Sequence, residues 1–99
     1  MANSIGGRIW DLDTASTTVP IWNGPVFIDS MDWAPNAKDN DLVIQDGTGN
    51  LIWEVRAVGP SPNNESNYIE YWTNPNPGMP FQGFMLHTMD GGTIKVQVG

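Results

Sequence analysis

Residues 42–57, LVIQDGTGNLIWEVRA, predict a β-hairpin and decide the fold class of the chain. Two apolar runs flank the turn-forming residues 46–49, and the last glycine of that turn suits the left-handed backbone that such a loop needs. A four-residue loop pairs Ile44 with Leu51, and this register gathers the apolar side chains on one face. We therefore predict that the hairpin contributes one face to a β-sheet core.

A second hairpin is predicted over residues 83–98, GFMLHTMDGGTIKVQV. A three-residue loop at 90–92 sets Leu86 opposite Val96 and produces one apolar face. The opposite face is predicted to be mixed and to carry Met85, His87, Met89, Thr93, Lys95 and Gln97.

Alternation of apolar and polar residues dominates the chain, and no segment of useful length has apolar residues at the three- and four-residue spacing of a helix. Glycine and proline, 11 and 8 in number, interrupt it too often for long helices. Strands are expected near residues 7–12, 18–22, 25–33, 41–46, 50–58, 67–73, 83–89 and 93–98. Short strands at this spacing predict one all-β domain over residues 1–99, an antiparallel β-sandwich of seven or eight strands. Its topology is left open between immunoglobulin-like and jelly-roll-like, and segment 1–25 is expected to be extended or irregular.

The predicted core draws on both hairpins and consists of Leu42, Ile44, Leu51, Trp53, Val55, Phe84, Leu86, Ile94, Val96 and Val98.

The composition of the chain excludes several classes of binding partner and crosslink. The 99 residues carry a formal net charge of -7 and have no basic cluster, so we do not expect nucleic-acid binding. Cysteine is absent, which removes disulfides and thiolate metal sites and fits assembly in a reducing cytoplasm. The start, MANSIGG, does not resemble a secretory leader, and no apolar run approaches the roughly 18 residues that span a bilayer. No membrane partner is therefore expected.

Catalysis finds little support in the residue pattern. His87 is the only histidine, and no G-x-S-x-G motif supplies a nucleophile for it. Asp11 and Asp13 would share a strand face, as a carboxylate pair for glycoside hydrolysis requires, but most acidic residues lie at predicted strand ends or turns. We expect a protein that is not an enzyme and needs no cofactor.

Metal binding is also not expected. Segments 39–41 and 46–50 hold oxygen ligands of the kind that calcium prefers, but neither matches the twelve-residue calcium loop. Turn formation explains both segments, and His87 has no second ligand at metal-binding spacing.

Aromatic residues are the remaining signal, with five tryptophans in a short chain. In the strand near 67–73, Tyr68, Glu70 and Trp72 alternate with Ile69, Tyr71 and Thr73, so one aromatic face is expected to meet solvent or a partner. Exposed aromatic side chains stack on sugar rings in carbohydrate-binding modules, and they also anchor protein interfaces.

Taken in order, DLVIQDGTGNLIWEVRA, NYIEYW and FQGFMLHTMDGGTIKV resemble small all-β accessory proteins of tailed-phage virions, particularly capsid decoration (cement) proteins. The resemblance covers about residues 26–98. It implies a β-sandwich, commonly trimeric, that is assembled in the host cytoplasm, sits on the capsid surface of the virion and ties neighbouring copies of the major capsid protein together. A carbohydrate-binding module and a tail or head-fibre component are the alternatives.

The partner contact is predicted on a proline-braced loop, 75–81, that carries Met79 and Phe81, because rigid loops lose little entropy on binding. In the alternative, these side chains tuck under the 59–66 loop as a small apolar cluster. The full predicted interface, with self or with capsid, comprises Met79, Phe81, Met85, His87, Met89, Trp72, Val43 and Ile52.

Overall fold

The computed structural model describes residues 3–5, 7–35, 39–57 and 69–99, and within these ranges all regular secondary structure is β. Eight strands occur in the described ranges: β1 (Ile9–Leu12), β2 (Trp22–Val26), β3 (Ile28–Ala34), β4 (Asp41–Gln45), β5 (Leu51–Arg56), β6 (Glu70–Thr73), β7 (Phe81–Met89) and β8 (Thr93–Val98). They form two antiparallel four-stranded sheets packed face to face, which confirms the predicted β-sandwich.

The strand order is β1-β8-β3-β6 in one sheet, called sheet A, and β2-β7-β4-β5 in the other, called sheet B. Within the described strands the first pairs with the eighth, the second with the seventh, the third with the sixth and the fourth with the fifth. A long antiparallel ribbon wrapped into two sheets has this pairing, and it favours the jelly-roll alternative. Consequently β1 and β2 are the edge strands at one side of the sandwich, and β5 and β6 are the edge strands at the other.

The core lies between the sheets. Six of the ten residues predicted for the core are buried, and Trp53, Val55 and Val98 are partly buried against them. Leu51 is the exception, since 58% of its surface is exposed. The core also includes residues that were not predicted for it: Trp10, Leu12, Val26, Ile28, Met31, Trp33 and Ala57.

The strand predicted at residues 18–22 is displaced to 22–26. The backbone amides of Ser16 and Ile21 donate hydrogen bonds to carbonyls of β7, so this segment follows the sheet without forming a regular strand. Pro25 lies within β2, where it is tolerated because β2 is an edge strand.

The first hairpin exists, but its predicted register is wrong. Ile44 lies opposite Trp53 and Gln45 lies opposite Leu51, so Ile52 is an extra residue on β5. This β-bulge exchanges the orientations of two successive side chains. Ile52 therefore packs against the core while Leu51 points into solvent.

The predicted second hairpin does not form, because β7 and β8 belong to different sheets. Their connection crosses the sandwich at Gly92, which has a φ of 83°. A Cβ atom there would lie 2.0 Å from the Ala34 carbonyl oxygen, so the crossing requires glycine. Leu86 and Val96 are nevertheless both buried, each contributed by a different sheet.

Candidate functional site

A groove of about 400 Å³ opens at the side of the sandwich where β5 and β6 are the edge strands. The loop of residues 74–80, which leads from β6 in sheet A to β7 in sheet B, forms one wall of this groove. We call it the β5/β6 groove; its lining residues are Leu51, Ile52, Trp72, Asn74, Pro75, Asn76, Met79, Pro80 and Phe81.

Asn74 fixes the loop to the sandwich. Its side chain is buried, donates a 2.7 Å hydrogen bond to the Ile28 carbonyl and accepts one of 2.8 Å from the Asn76 amide. The Asn74 amide also donates to the Asp29 carbonyl, and the Met79 amide donates to the Asn76 carbonyl. With prolines at 75, 77 and 80, this bonding restricts the backbone of the wall.

The floor of the β5/β6 groove is apolar and belongs partly to the core. The Trp72 and Phe81 rings have centroids 6.3 Å apart, and both residues, with Ile52, pack against the buried cluster. Trp72 faces inward because it pairs with Met31, a buried residue of β3. These three predicted interface residues therefore support the groove and offer a partner only part of their surface.

Two long side chains stand at the rim of the groove. Met79 is 64% exposed and Leu51 is 58% exposed. Met79 was predicted as a contact residue, whereas Leu51 was assigned to the core because the bulge at Ile52 has no signal in the sequence pattern. The alternative for Met79 and Phe81, burial under loop 59–66, lies outside the described residues.

Three other predicted residues lie away from the groove, on the outer face of sheet B. Val43 pairs with Thr88 across β4 and β7, and Met85 pairs with Gln45 on the same face. His87 is half-buried and lies 2.8 Å from the Thr88 hydroxyl through Nδ1. The structure thus divides the predicted interface into the β5/β6 groove and this outer face.

Met89 belongs to neither surface. The register between β4 and β7 shifts between Val43 and Ile44, which leaves His87 as an extra residue on β7. Beyond that bulge the alternation is reversed, so Met89 packs against the core and Thr88 faces outward. The prediction that Met89 shares an outer face with Met85 is therefore wrong.

The acidic turn residues have structural partners. The Asp46 carboxylate accepts hydrogen bonds from the Thr48 amide and hydroxyl and from the Asn50 amide and side chain. Burial raises the pKa of the Asp46 carboxyl, but these hydrogen bonds outweigh burial and leave the pKa below its ordinary value. Asp46 thus stabilises its own loop, as the turn interpretation predicts.

Asp41 and Asp11 hold exposed ion pairs. Arg56 Nε lies 2.8 Å from Asp41 Oδ1, and the hydrogen bond and charge of Asp41 raise the pKa of the guanidinium. Lys95 Nζ lies 3.7 Å from Asp11 Oδ2. Among the described residues no group of three or more acidic or histidine side chains is arranged to hold a metal ion.

A second apolar surface, which the sequence pattern did not predict, lies at the opposite side of the sandwich. Ile5, Trp22 and Phe27 are exposed there and line a common groove. Trp22 packs on the buried Trp10, with ring centroids 5.7 Å apart. The signal was the cluster of aromatic and aliphatic residues in segment 1–27, which contributed no residue to the predicted interface.

One exposed aromatic residue lies on the outer face of sheet A. Tyr71 is 68% exposed and pairs with Asp32 of β3, which pairs in turn with Lys95 of β8. The exposed face of β6 is therefore the one that carries Tyr71, not the one that carries Trp72.

Searches of protein-family models, curated proteins and solved structures find no match for this chain. In the described residues no helix is long and apolar enough to cross a membrane.

Proposed function

We propose that this protein is a non-enzymatic docking protein of a phage virion, a capsid decoration protein that uses the β5/β6 groove to bind the major capsid protein. The resemblance of the sequence to such proteins supports the virion role. The eight-stranded pairing pattern is compatible with it, because jelly rolls occur in viral capsid domains as well as in lectin domains.

The observation that carries the proposal is the exposure of Met79 and Leu51 above a rigid apolar floor. Exposed long apolar side chains cost solubility in an isolated domain, and two of them on one apolar groove favour its use as a binding surface. The wall that holds Met79 is already fixed by Asn74, so binding orders little additional chain. The acidic charge of the remaining surface disfavours nonspecific contact with nucleic acid.

Purified particles of the phage whose genome encodes the chain provide the direct test. Quantitative mass spectrometry should find the protein in a fixed stoichiometry to the major capsid protein. A tail or head-fibre component would instead occur in a small number of copies per particle and co-purify with detached tails or fibres. Absence from the particle would contradict the proposal.

Carbohydrate binding is the second candidate, and Tyr71 favours it specifically. A tyrosine ring exposed beside Asp32, with Lys95 on the next strand of the same face, combines a stacking surface with hydrogen-bonding groups, as sugar sites do. Affinity electrophoresis in gels that contain soluble glucans tests this candidate. Retardation that is lost in Tyr71→Ala but retained in Thr73→Ala would support it, whereas unretarded wild-type protein would exclude binding to the glucans tested.

A further inference from the structure

Strand β2 contains the only Asn-Gly pair in the sequence, Asn23–Gly24. The backbone nitrogen that follows an asparagine can attack the asparagine side chain, and glycine favours this attack because it has no Cβ atom to shield its nitrogen. β2 is an edge strand, and both residues of the pair are exposed. Water and hydroxide therefore have access to the pair in the folded protein.

The backbone of this pair is not held by the neighbouring strand. The register between β2 and β7 shifts between Trp22 and Pro25, so Asn23 and Gly24 have no paired residue on β7. Gly24 has a φ of 88°, and nothing lies within 4 Å of the position that a Cβ atom on it would occupy. The Asn23 side chain thus has room to turn onto the Gly24 nitrogen.

A comparable pair near the start of the chain, Asn3–Ser4, is held by hydrogen bonds. Asn3 Oδ1 accepts hydrogen bonds of 2.8 Å from the amides of both Asp13 and Thr14. The amide that would attack Asn3 is that of Ser4, and it donates a 2.9 Å hydrogen bond to the Asp11 carbonyl. Both reacting groups of this pair are therefore restrained.

Two aspartates also precede glycine, and an aspartate can close the same ring. The Gly47 amide, which would attack Asp46, instead donates a 2.7 Å hydrogen bond to the Gln82 carbonyl. The Asp90 carboxylate accepts a 2.9 Å hydrogen bond from the Asp41 amide. These contacts keep the reacting groups apart in both Asp-Gly pairs.

The other described asparagines lack an accessible nucleophile. Asn74 and Asn76 precede proline, whose nitrogen has no hydrogen to lose. Asn40 and Asn50 precede residues that have side chains, and a side chain crowds the attacking nitrogen. The structure thus leaves one reactive pair among the described residues.

We propose that Asn23 is a site of spontaneous deamidation in the folded protein. The Gly24 nitrogen loses its proton to hydroxide and attacks Asn23 Cγ, and the new C–N bond closes a five-membered succinimide. The Cγ–Nδ2 bond breaks as Nδ2 takes a proton from water and leaves as ammonia. Water then adds to either carbonyl of the ring, which opens to aspartate or to isoaspartate. The net reaction consumes water, releases ammonia and transfers no electrons.

Deamidation places a new carboxylate beside an apolar surface. Trp22 and Pro25 line the groove at the side of the sandwich where β1 and β2 are the edge strands, and Trp22 is 40% exposed. Aspartate makes the net charge of -7 more negative, and isoaspartate also lengthens the backbone within the bulge. The β5/β6 groove lies at the opposite side, so the reaction does not depend on the proposed capsid contact.

Peptide mapping of the full chain by mass spectrometry tests the proposal. The protein is incubated in warm, mildly alkaline buffer, where circular dichroism must show that it stays folded, and a reference sample is kept cold. Peptides that contain Asn23 should exchange NH2 for OH at least about tenfold faster than peptides that contain any other described asparagine. Fragmentation by electron transfer should find both aspartate and isoaspartate at this position.

Two variants serve as controls in anion-exchange chromatography. Asn23→Gln should keep its elution position during incubation, because glutamine would have to close a larger ring. Asn23→Asp marks the position to which the wild type should move.

The same incubation in guanidinium chloride separates the effect of the fold from that of the sequence. Asn23 should react at a rate within about fivefold of its rate in the unfolded chain, whereas folding should slow Asn3 by more than that. A larger protection of Asn23 by the fold, or faster conversion at another described asparagine, would overturn the proposal. Formation of aspartate without isoaspartate would overturn the succinimide route.

Discussion

At the scale of single residues, Asp46 explains why the hairpin loop has the sequence Asp-Gly-Thr-Gly-Asn. Its carboxylate accepts hydrogen bonds from both Thr48 and Asn50, and these bonds strengthen when the group is ionised. Gly47 lies against β7, where its amide donates a 2.7 Å hydrogen bond to the Gln82 carbonyl. The loop is therefore tied both to itself and to the neighbouring strand.

Replacing Asp46 by alanine should lower the free energy of unfolding by about 1–2 kcal/mol at pH 7. Because the folded-state pKa of Asp46 is below the unfolded value of about 3.9, the contribution is complete above that pH and disappears as pH falls through the folded pKa. Urea unfolding at pH 7 and at about pH 2 should thus show a difference between wild type and variant that shrinks with acid. Asp32→Ala, at an exposed position, is the matched control and should have little effect. An unchanged difference at both pH values would contradict this role of the carboxylate.

Gly92 and Gly49 show two different reasons why a position requires glycine, namely backbone conformation and lack of space for a side chain. Both have positive φ, 83° and 92°, but a Cβ atom on Gly92 would collide with the Ala34 carbonyl, whereas nothing lies within 4 Å of one on Gly49. Gly49→Ala should cost about 1–2 kcal/mol of unfolding free energy from backbone strain alone. Gly92→Ala should cost clearly more, because the crossing between sheets must also shift. Thermal unfolding measures both values. Equal losses of unfolding free energy would show that the connection between β7 and β8 can shift to accommodate a Cβ atom at little cost.

At the scale of elements, the alternation of side chains is easier to predict than the pairing of strands. Leu86 and Val96 were correctly assigned to the core although β7 and β8 are not neighbours, because an inward-facing residue is apolar whichever sheet holds it. Which strand lies beside which depends on contacts distant in sequence, so a short loop at 90–92 suggested a hairpin that does not form. The bulges at Ile52 and His87 are likewise set by the neighbouring strands and reverse the predicted faces beyond them.

Because of the bulge in β7, two methionines that the sequence predicts on one face should contribute differently to stability. Met89 packs against the core and Met85 lies on the outer face of sheet B. Met89→Ala should therefore lower the free energy of unfolding by about 2 kcal/mol through lost burial, and Met85→Ala by less than about 0.5 kcal/mol. Urea denaturation of the two variants measures both values. Small losses in both variants would mean that the alternation runs through His87 without a bulge, because both methionines would then face outward.

At the scale of the whole molecule, the exposed large apolar side chains of the described residues fall mainly at the two sides where each sheet ends. Loop 75–81 and Met79 were identified from the sequence because prolines and an apolar residue in a polar loop are a local signal. The structure shows that the groove is supported from the core by Phe81, Trp72 and Ile52. The apolar surface at the opposite side of the sandwich was not predicted from the sequence. Both outcomes depend on how the sheets stack, which no local pattern records.

The proposed function requires the protein to adhere through the rim of the β5/β6 groove. Co-sedimentation with purified phage particles that lack the protein tests it most directly, using wild type, the double variant Leu51→Ser with Met79→Ser, and Ile9→Ser on the opposite side as control. Both variants should fold, because the substituted side chains are mostly exposed. We expect wild type and Ile9→Ser to bind the particles and the double variant to lose at least about tenfold in affinity, since clustered apolar contacts dominate such interfaces. Binding by the folded double variant with wild-type affinity would contradict the proposed function.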